Sequence, residues 1–151
     1  MADNVKIAVV DDENSVLESF KMILEIKDYD CHLYETGTEF LTKFKKDAYD
    51  VIFLDLLLQK DPPPYNNKEK KDGGILVLQK IKEIDPEVEV CIVTGYATEK
   101  THTNAISYGA MDYLQKPFIM EDIYELVNRA LRKRREKKTV RKDQGPIGPI
   151  H

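Results

Sequence analysis

Val5-Lys6-Ile7-Ala8-Val9-Val10 runs directly into Asp11-Asp12, and the rest of the fold is read outward from this stretch. The same arrangement, an apolar run closed by a polar residue, recurs three times. Asp55 closes Val51-Ile52-Phe53-Leu54, Thr94 closes Val90-Cys91-Ile92-Val93, and Lys116 follows Tyr113-Leu114-Gln115. Short, nearly continuous apolar runs separated by helical patterns are the mark of parallel strands buried on both faces. Ligands of open α/β sheets bind beyond the carboxyl ends of such strands. The expectation is a crevice where three carboxylates, a hydroxyl and an ammonium meet.

The segments between these runs carry helical spacing. Val16, Leu17, Phe20, Ile23 and Leu24 mark one apolar face, with Asn14 or Ser15 as the expected cap. Cys31 to Tyr34 reads as a short strand. A helix capped by Thr36 or Thr38 turns Phe40, Leu41 and Phe44 inward before a strand over Asp50 to Asp55. Ile75, Leu76, Leu78, Ile81 and Ile84 define a helix that ends at Asp85-Pro86, because proline disfavours helical geometry in the residue before it. After the strand Glu89 to Thr94 comes a weakly apolar helix, Glu99 to Tyr108, with Gly109 as its cap and Ala110 to Leu114 as the next strand. A last helix begins near Met120 and presents Ile123, Leu126, Val127 and Leu131. Regular alternation implies right-handed crossovers with helices on both faces of one parallel sheet.

At 151 residues and 42% hydrophobic content the chain fits one well-buried core rather than two. No apolar stretch has membrane-spanning length, and polar Met1-Ala2-Asp3-Asn4 leads straight into a strand, so a cytoplasmic protein is expected. Cys31 and Cys91 both lie in strand-like segments and read as buried reduced thiols. The net charge of -4 hides an asymmetry: residues 1–128 hold 25 acids and 14 bases, whereas Arg129 to Lys142 holds nine bases and one acid. A solvated helix terminus is the expected reading of that run, ahead of a nucleic-acid contact.

The acidic pair after the first strand, the aspartate ending the third, Thr94-Gly95 after the fourth and Tyr113-Leu114-Gln115-Lys116-Pro117-Phe118 after the fifth resemble the receiver domain of two-component response regulators, the CheY-like family. Each signal is weak alone; their joint order and spacing are specific. The resemblance covers about residues 5 to 132 and implies a flavodoxin-like, doubly wound five-stranded parallel sheet of order 2-1-3-4-5. It implies a receiver over 1–132 and a basic helix extension with a flexible tail over 133–151. It also implies that Asp55 accepts a phosphoryl group from a sensor histidine kinase or phosphotransfer protein. Lys116 would pair with Asp55 and then with a phosphoryl oxygen, from a cis Lys116-Pro117 bond, and Thr94 would donate to another oxygen. Tyr113 would be the aromatic that turns inward as Thr94 moves, a two-state element biased by local charge.

Phosphoryl oxygens cannot approach three carboxylates without a cation. Mg2+ prefers an octahedron of oxygens and keeps waters, which suits such a site. By resemblance Asp12 ligates it directly, Asp11 through water, Asp55 joins them, and Leu57 contributes its main-chain carbonyl. The implied activity is signalling, limited to Mg2+-dependent self-phosphorylation from a donor and slow autodephosphorylation. The implied partner surface is the fourth helix, fifth strand and fifth helix.

Two features depart from the family. Seventeen residues separate Asp55 from Gly73-Gly74, an insertion over about 59–72 containing Pro62-Pro63-Pro64, which is expected to run extended beside the crevice rim with its charges solvated. Leu57 and Tyr96 flank the site with bulk that would obstruct an attacking water. Other classes fit worse. Haloacid-dehalogenase-like phosphatases carry an acid where this chain has Leu57, and a dinucleotide fold needs a glycine fingerprint where this chain has Asp11-Asp12-Glu13. A receiver-like module that never turns over phosphate is the remaining alternative. Thr94-Gly95-Tyr96-Ala97-Thr98 is reminiscent of receivers joined to sigma-54 activators, so an attached output domain or a phosphorylation-dependent dimer is a further expectation. The residues after Leu131 are too few for a DNA-binding module, and neither membrane nor direct nucleic-acid contact is expected.

Overall fold

A computed structural model of the chain describes residues 4–66 and 72–144. Five strands form one parallel sheet in the order β2-β1-β3-β4-β5. In chain order these are β1 Lys6–Val10, β2 Asp30–Tyr34, β3 Val51–Leu54, β4 Glu89–Thr94 and β5 Asp112–Gln115. The helices between and after them are α1 Asn14–Ile26, α2 Gly37–Lys43, α3 Gly73–Ile84, α4 Glu99–Ser107 and α5 Met120–Gln144.

Strand alternation divides the core into two layers. Ala8, Val10, Ile52, Leu54, Val90 and Ile92 face one way, onto Phe40 of α2 and Val77, Leu78 and Ile81 of α3. Ile7, Val9, Val51, Phe53, Cys91 and Val93 face the other, onto Leu17, Phe20 and Leu24 of α1 and Ile123, Leu126 and Val127 of α5. Both faces being covered, the strands read as continuous apolar runs rather than alternating ones. Each large side chain removed from water contributes about 1.5–3 kcal/mol. Phe20 and Phe53 lie with ring centroids 5.0 Å apart, and Phe20 meets Phe118 at 4.9 Å, tying α1, β3 and the loop before α5 together.

Some local expectations need correction. The N-cap of α1 is Glu13, not Asn14 or Ser15, and it makes no side-chain capping bond. Its N–H is taken by Asp11 Oδ1 at 2.9 Å, so the preceding loop rather than a cap side chain sets where the helix starts. The last strand is displaced, to Asp112–Gln115 instead of Ala110 to Leu114, because Ala110 N–H closes α4 by bonding the Ala105 carbonyl. Tyr108 is the cap residue of α4, and Gly109 follows it with φ +100°, a left-handed conformation that favours glycine. Ile84 is exposed; Val77 takes the buried place on α3. Thr36 caps α2, accepting the Glu39 N–H at 3.0 Å.

The inserted loop differs most from expectation. Pro62-Pro63-Pro64 is a turn, not an extended polyproline segment: the Tyr65 N–H bonds the Pro62 carbonyl at 3.1 Å, and the Pro63-Pro64 peptide is cis. Asp61 is not a solvated charge either. It is 3% exposed and accepts from Gly37 N–H at 2.9 Å, Thr38 N–H at 2.8 Å and Thr38 Oγ1 at 2.7 Å. This buried anion satisfies donors that the first turn of α2 would otherwise leave open, and pulls the chain inward just before the prolines. Gly73 and Gly74 close the loop. A Cβ on Gly73 would collide with the Tyr65 backbone, and one on Gly74 with the carbonyl of Asp55. The expected charged run Asn67 to Lys71 lies outside the described residues, as does the tail from Gly145.

Candidate functional site

The C-terminal ends of β1 and β3 and the residue after β5 bring Asp11, Asp12, Asp55 and Lys116 into one crevice. Asp11 and Asp55 are 2% and 3% exposed. The Lys116 ammonium stands 2.7 Å from Asp11 Oδ2, 3.1 Å from Asp55 Oδ2 and 3.3 Å from Glu13 Oε1. Main-chain geometry holds the lysine there. Its N–H bonds the Thr94 carbonyl at 2.8 Å, and the Lys116-Pro117 peptide is cis. Asp55 receives a second bond on its other oxygen, from the Leu57 N–H at 3.2 Å. Asp12 is partly exposed and its Oδ2 accepts the Gln59 N–H at 2.9 Å. The inserted loop therefore begins at the crevice.

Charge in this pocket is out of balance. Oxygens of Asp11, Asp12, Glu13 and Asp55 all lie within 4.8 Å of one another, with one ammonium among them. At about 4 Å two like charges repel by about 4 kcal/mol in an effective dielectric near 20, so four carboxylates beside one cation are strongly frustrated. Protonation responds accordingly. Burial, and then the neighbouring Asp55, raise Asp11 to about 6 despite the Lys116 contact. Burial also raises Asp12 above the ordinary carboxylate range. For Lys116 burial works toward a lower value, but Asp55 and Asp11 outweigh it and hold the ammonium protonated, above its usual range.

This donor set fits a hard divalent cation. Mg2+ takes oxygen ligands at about 2.1 Å, which puts opposite ligands about 4 Å apart. Acid oxygens already gathered within 4.8 Å require little movement to reach that spacing.

Thr94 and Tyr113 stand outside the ionic cluster. Thr94 is fully buried and its Oγ1 accepts the Tyr96 N–H at 3.1 Å. Tyr113 pairs in register with Ile92, stacks on His102 at 4.9 Å, and joins its hydroxyl to Thr101 Oγ1 at 2.7 Å. Glu13 was not among the expected site residues, although its place directly after Asp11-Asp12 was the available signal. Asp61 carried no such signal, since its partners lie 23 and 24 residues away.

The sheet order agrees with comparisons to known proteins. Residues 7–128 match the response regulator receiver domain family. The transcriptional regulatory protein ZraR of Escherichia coli (strain K12) is 28% identical over 129 residues, covering 85% of this chain and 27% of that protein. The chain thus spans about a quarter of that relative's length. Among solved structures, a CheY-like response regulator receiver domain protein from Methanospirillum hungatei JF-1 superposes with a TM-score of 0.76 at 26% identity, covering 89% of this chain and 99% of that one. The BeF3-activated receiver domain of DrrB, from Thermotoga maritima, gives 0.72 at 30% identity, with coverages of 86% and 99%. Receivers of this kind generally act in signalling without catalysing a reaction on another substrate, and Mg2+ serves their phosphorylation. With the match spanning most of its length, this chain belongs to the receiver domain family of two-component response regulators.

Proposed function

We propose that Asp55 accepts a phosphoryl group from the phosphohistidine of a sensor kinase or phosphotransfer protein. One observation carries the assignment: Asp55 is the strand-end carboxylate that faces both the Lys116 ammonium and the acidic pair. An oxygen of Asp55 attacks phosphorus as the bond from phosphorus to the donor's ring nitrogen breaks. The electron pair of that bond leaves with the imidazole. Lys116 neutralises charge on the transferred group, and Thr94 is the hydroxyl that moves to bond it. Asp12 would be the main side-chain holder of Mg2+, with Asp11, Asp55 and the Leu57 carbonyl completing the protein's share. When bound, the ion offsets the charge between carboxylates and phosphoryl oxygens.

Displacement of Thr94 would break its bond to the Tyr96 N–H and free space toward which Tyr113 turns, releasing Thr101. Loss of that bond alters α4 directly, because Thr101 and Thr98 form the capping box of the helix. The surface that changes is α4, β5 and α5, where Ile106, Tyr108, Ile119 and Met120 are exposed. That face is the docking site for an output domain or a second receiver. The receiver spans 1–132, and the helix beyond it continues as a linker.

Incubation with Mg2+ and a small acyl phosphate tests the assignment by intact mass. The wild type gains one phosphoryl group and Asp55→Asn gains none. Equal uptake by Asp55→Asn overturns it.

A further inference from the structure

We propose that Glu13 is a positioning residue for Lys116: it holds the ammonium at the crevice mouth in the resting protein and yields it to the phosphoryl group on Asp55. This rests on the phosphoacceptor reading of Asp55. A lysine ammonium has three N–H donors and no acceptor. Three carboxylates surround Lys116, Asp11 at 2.7 Å, Asp55 at 3.1 Å and Glu13 at 3.3 Å, so its bonding capacity is full. Phosphorylation turns the Asp55 contact into one with a phosphoryl oxygen, and a second phosphoryl oxygen can gain the ammonium only if Asp11 or Glu13 gives way.

Exposure decides which. The Asp11 side chain is 3% exposed, and withdrawing the cation from it strands a buried charge, which is costly. Glu13 is 59% exposed, its contact is the longest, and water replaces the ammonium there at little cost. The main chain also leaves the Glu13 carboxylate available. Glu13 occupies the N-cap position of α1 without a side-chain capping bond, while its N–H goes to Asp11 Oδ1 and its carbonyl to the N–H groups of Val16 and Leu17. The carboxylate instead lines an open cleft of about 480 Å3 with Gly95, Lys116, Pro117 and Phe118. Glu13 therefore competes with the phosphoryl group for one cation and sets part of the cost of phosphorylation.

The test is the affinity for beryllofluoride, a phosphoryl mimic, in saturating Mg2+, followed through backbone amide shifts by NMR in wild type, Glu13→Gln and Glu13→Asp. Glu13→Gln is expected to bind about two- to fivefold more tightly, the range spanned by an exposed ion pair. Glu13→Asp keeps the charge but loses reach, and is expected to tighten binding as well. A residue that merely supported the fold would weaken binding when replaced. Unchanged or weaker binding by Glu13→Gln overturns the proposal. Wild-type affinity in Glu13→Asp with tighter binding in Glu13→Gln overturns it too, because charge without contact would then be the cause. If the wild type itself binds no beryllofluoride, the reading of Asp55 fails and this one with it; if the wild type binds and neither variant tightens, only the role of Glu13 falls.

Discussion

The two edges of the sheet treat acids in opposite ways. At the N-terminal edge, Asp112 meets Arg129, Asp50 lies 3.4 Å from Arg134, and Glu89 lies 2.7 Å from Lys137. Each of these three acids has its own cation, supplied by α5. At the C-terminal edge, Asp11, Glu13 and Asp55 share Lys116, and Asp12 has a backbone N–H. Paired charges contribute to holding the helix, whereas a pocket with surplus carboxylates is prepared for a ligand that brings positive charge. The comparison also accounts for part of the basic run. Arg129, Arg134 and Lys137 serve the fold's own acids, and of the other bases whose side chains are described in this run, Arg132, Lys133 and Arg135 are exposed.

If the imbalance is functional, removing an acid from the C-terminal edge should disable metal binding while breaking a pair at the other edge should not. Asp12→Ala is expected to weaken Mg2+ binding at least about tenfold by calorimetry, since a charged ligand in a partly buried site is lost. Asp61→Ala acts away from both edges, because Asp61 anchors α2. Removing it should lower stability to urea by about 1–3 kcal/mol, as open helix-terminal donors lose their acceptor. Lys137→Ala should also lower stability, by about 1–3 kcal/mol, by leaving the buried Glu89 carboxylate without its partner. Unaltered Mg2+ affinity in Lys137→Ala would keep the two edges distinct; an equal loss there and in Asp12→Ala would merge them.

Proton linkage sharpens the same contrast. Asp11 is raised from 3.8 to about 6, so the folded state binds this proton more tightly than the unfolded chain. Its contribution to stability is full below the unfolded value and is lost as pH rises through about 6. Mg2+ displaces that proton at acid pH but not once the carboxyl has ionised. The rise in Tm on adding Mg2+ should therefore be larger at about pH 7 than at about pH 5. An equal rise at both would separate Asp11 from the metal. A smaller effect is expected from Leu57 and Tyr96. Replacing both with small polar residues should speed loss of phosphate, measured by the decay of phosphoprotein, and unchanged or slower decay would remove the steric account.

The sheet was legible because its strands are buried on both faces, and the polar residues that interrupt them mark their ends. Asp11, Asp12, Asp55 and Lys116 could be grouped for the same reason: a parallel topology sends every strand terminus to one edge. Local starts and stops were less legible. Whether Glu13 or Asn14 caps α1 depends on where the Asp11 carboxylate points, a tertiary matter. Burial of Asp61 is likewise invisible in sequence, since a lone acid before three prolines looks like any solvated loop charge until α2 supplies its donors. The orientation of Tyr113 onto Thr101 and His102 required the packing of α4 on β5.

The most direct test of the central claim, that surplus carboxylates at the C-terminal edge await a cation and then a phosphoryl group, is to map the product of acyl phosphate treatment by peptide mass spectrometry, once in Mg2+ and once in EDTA. One phosphoryl group on the peptide containing Asp55, formed in Mg2+ and absent in EDTA, is the predicted result. Uptake indifferent to the metal, or located on any other residue, would contradict it.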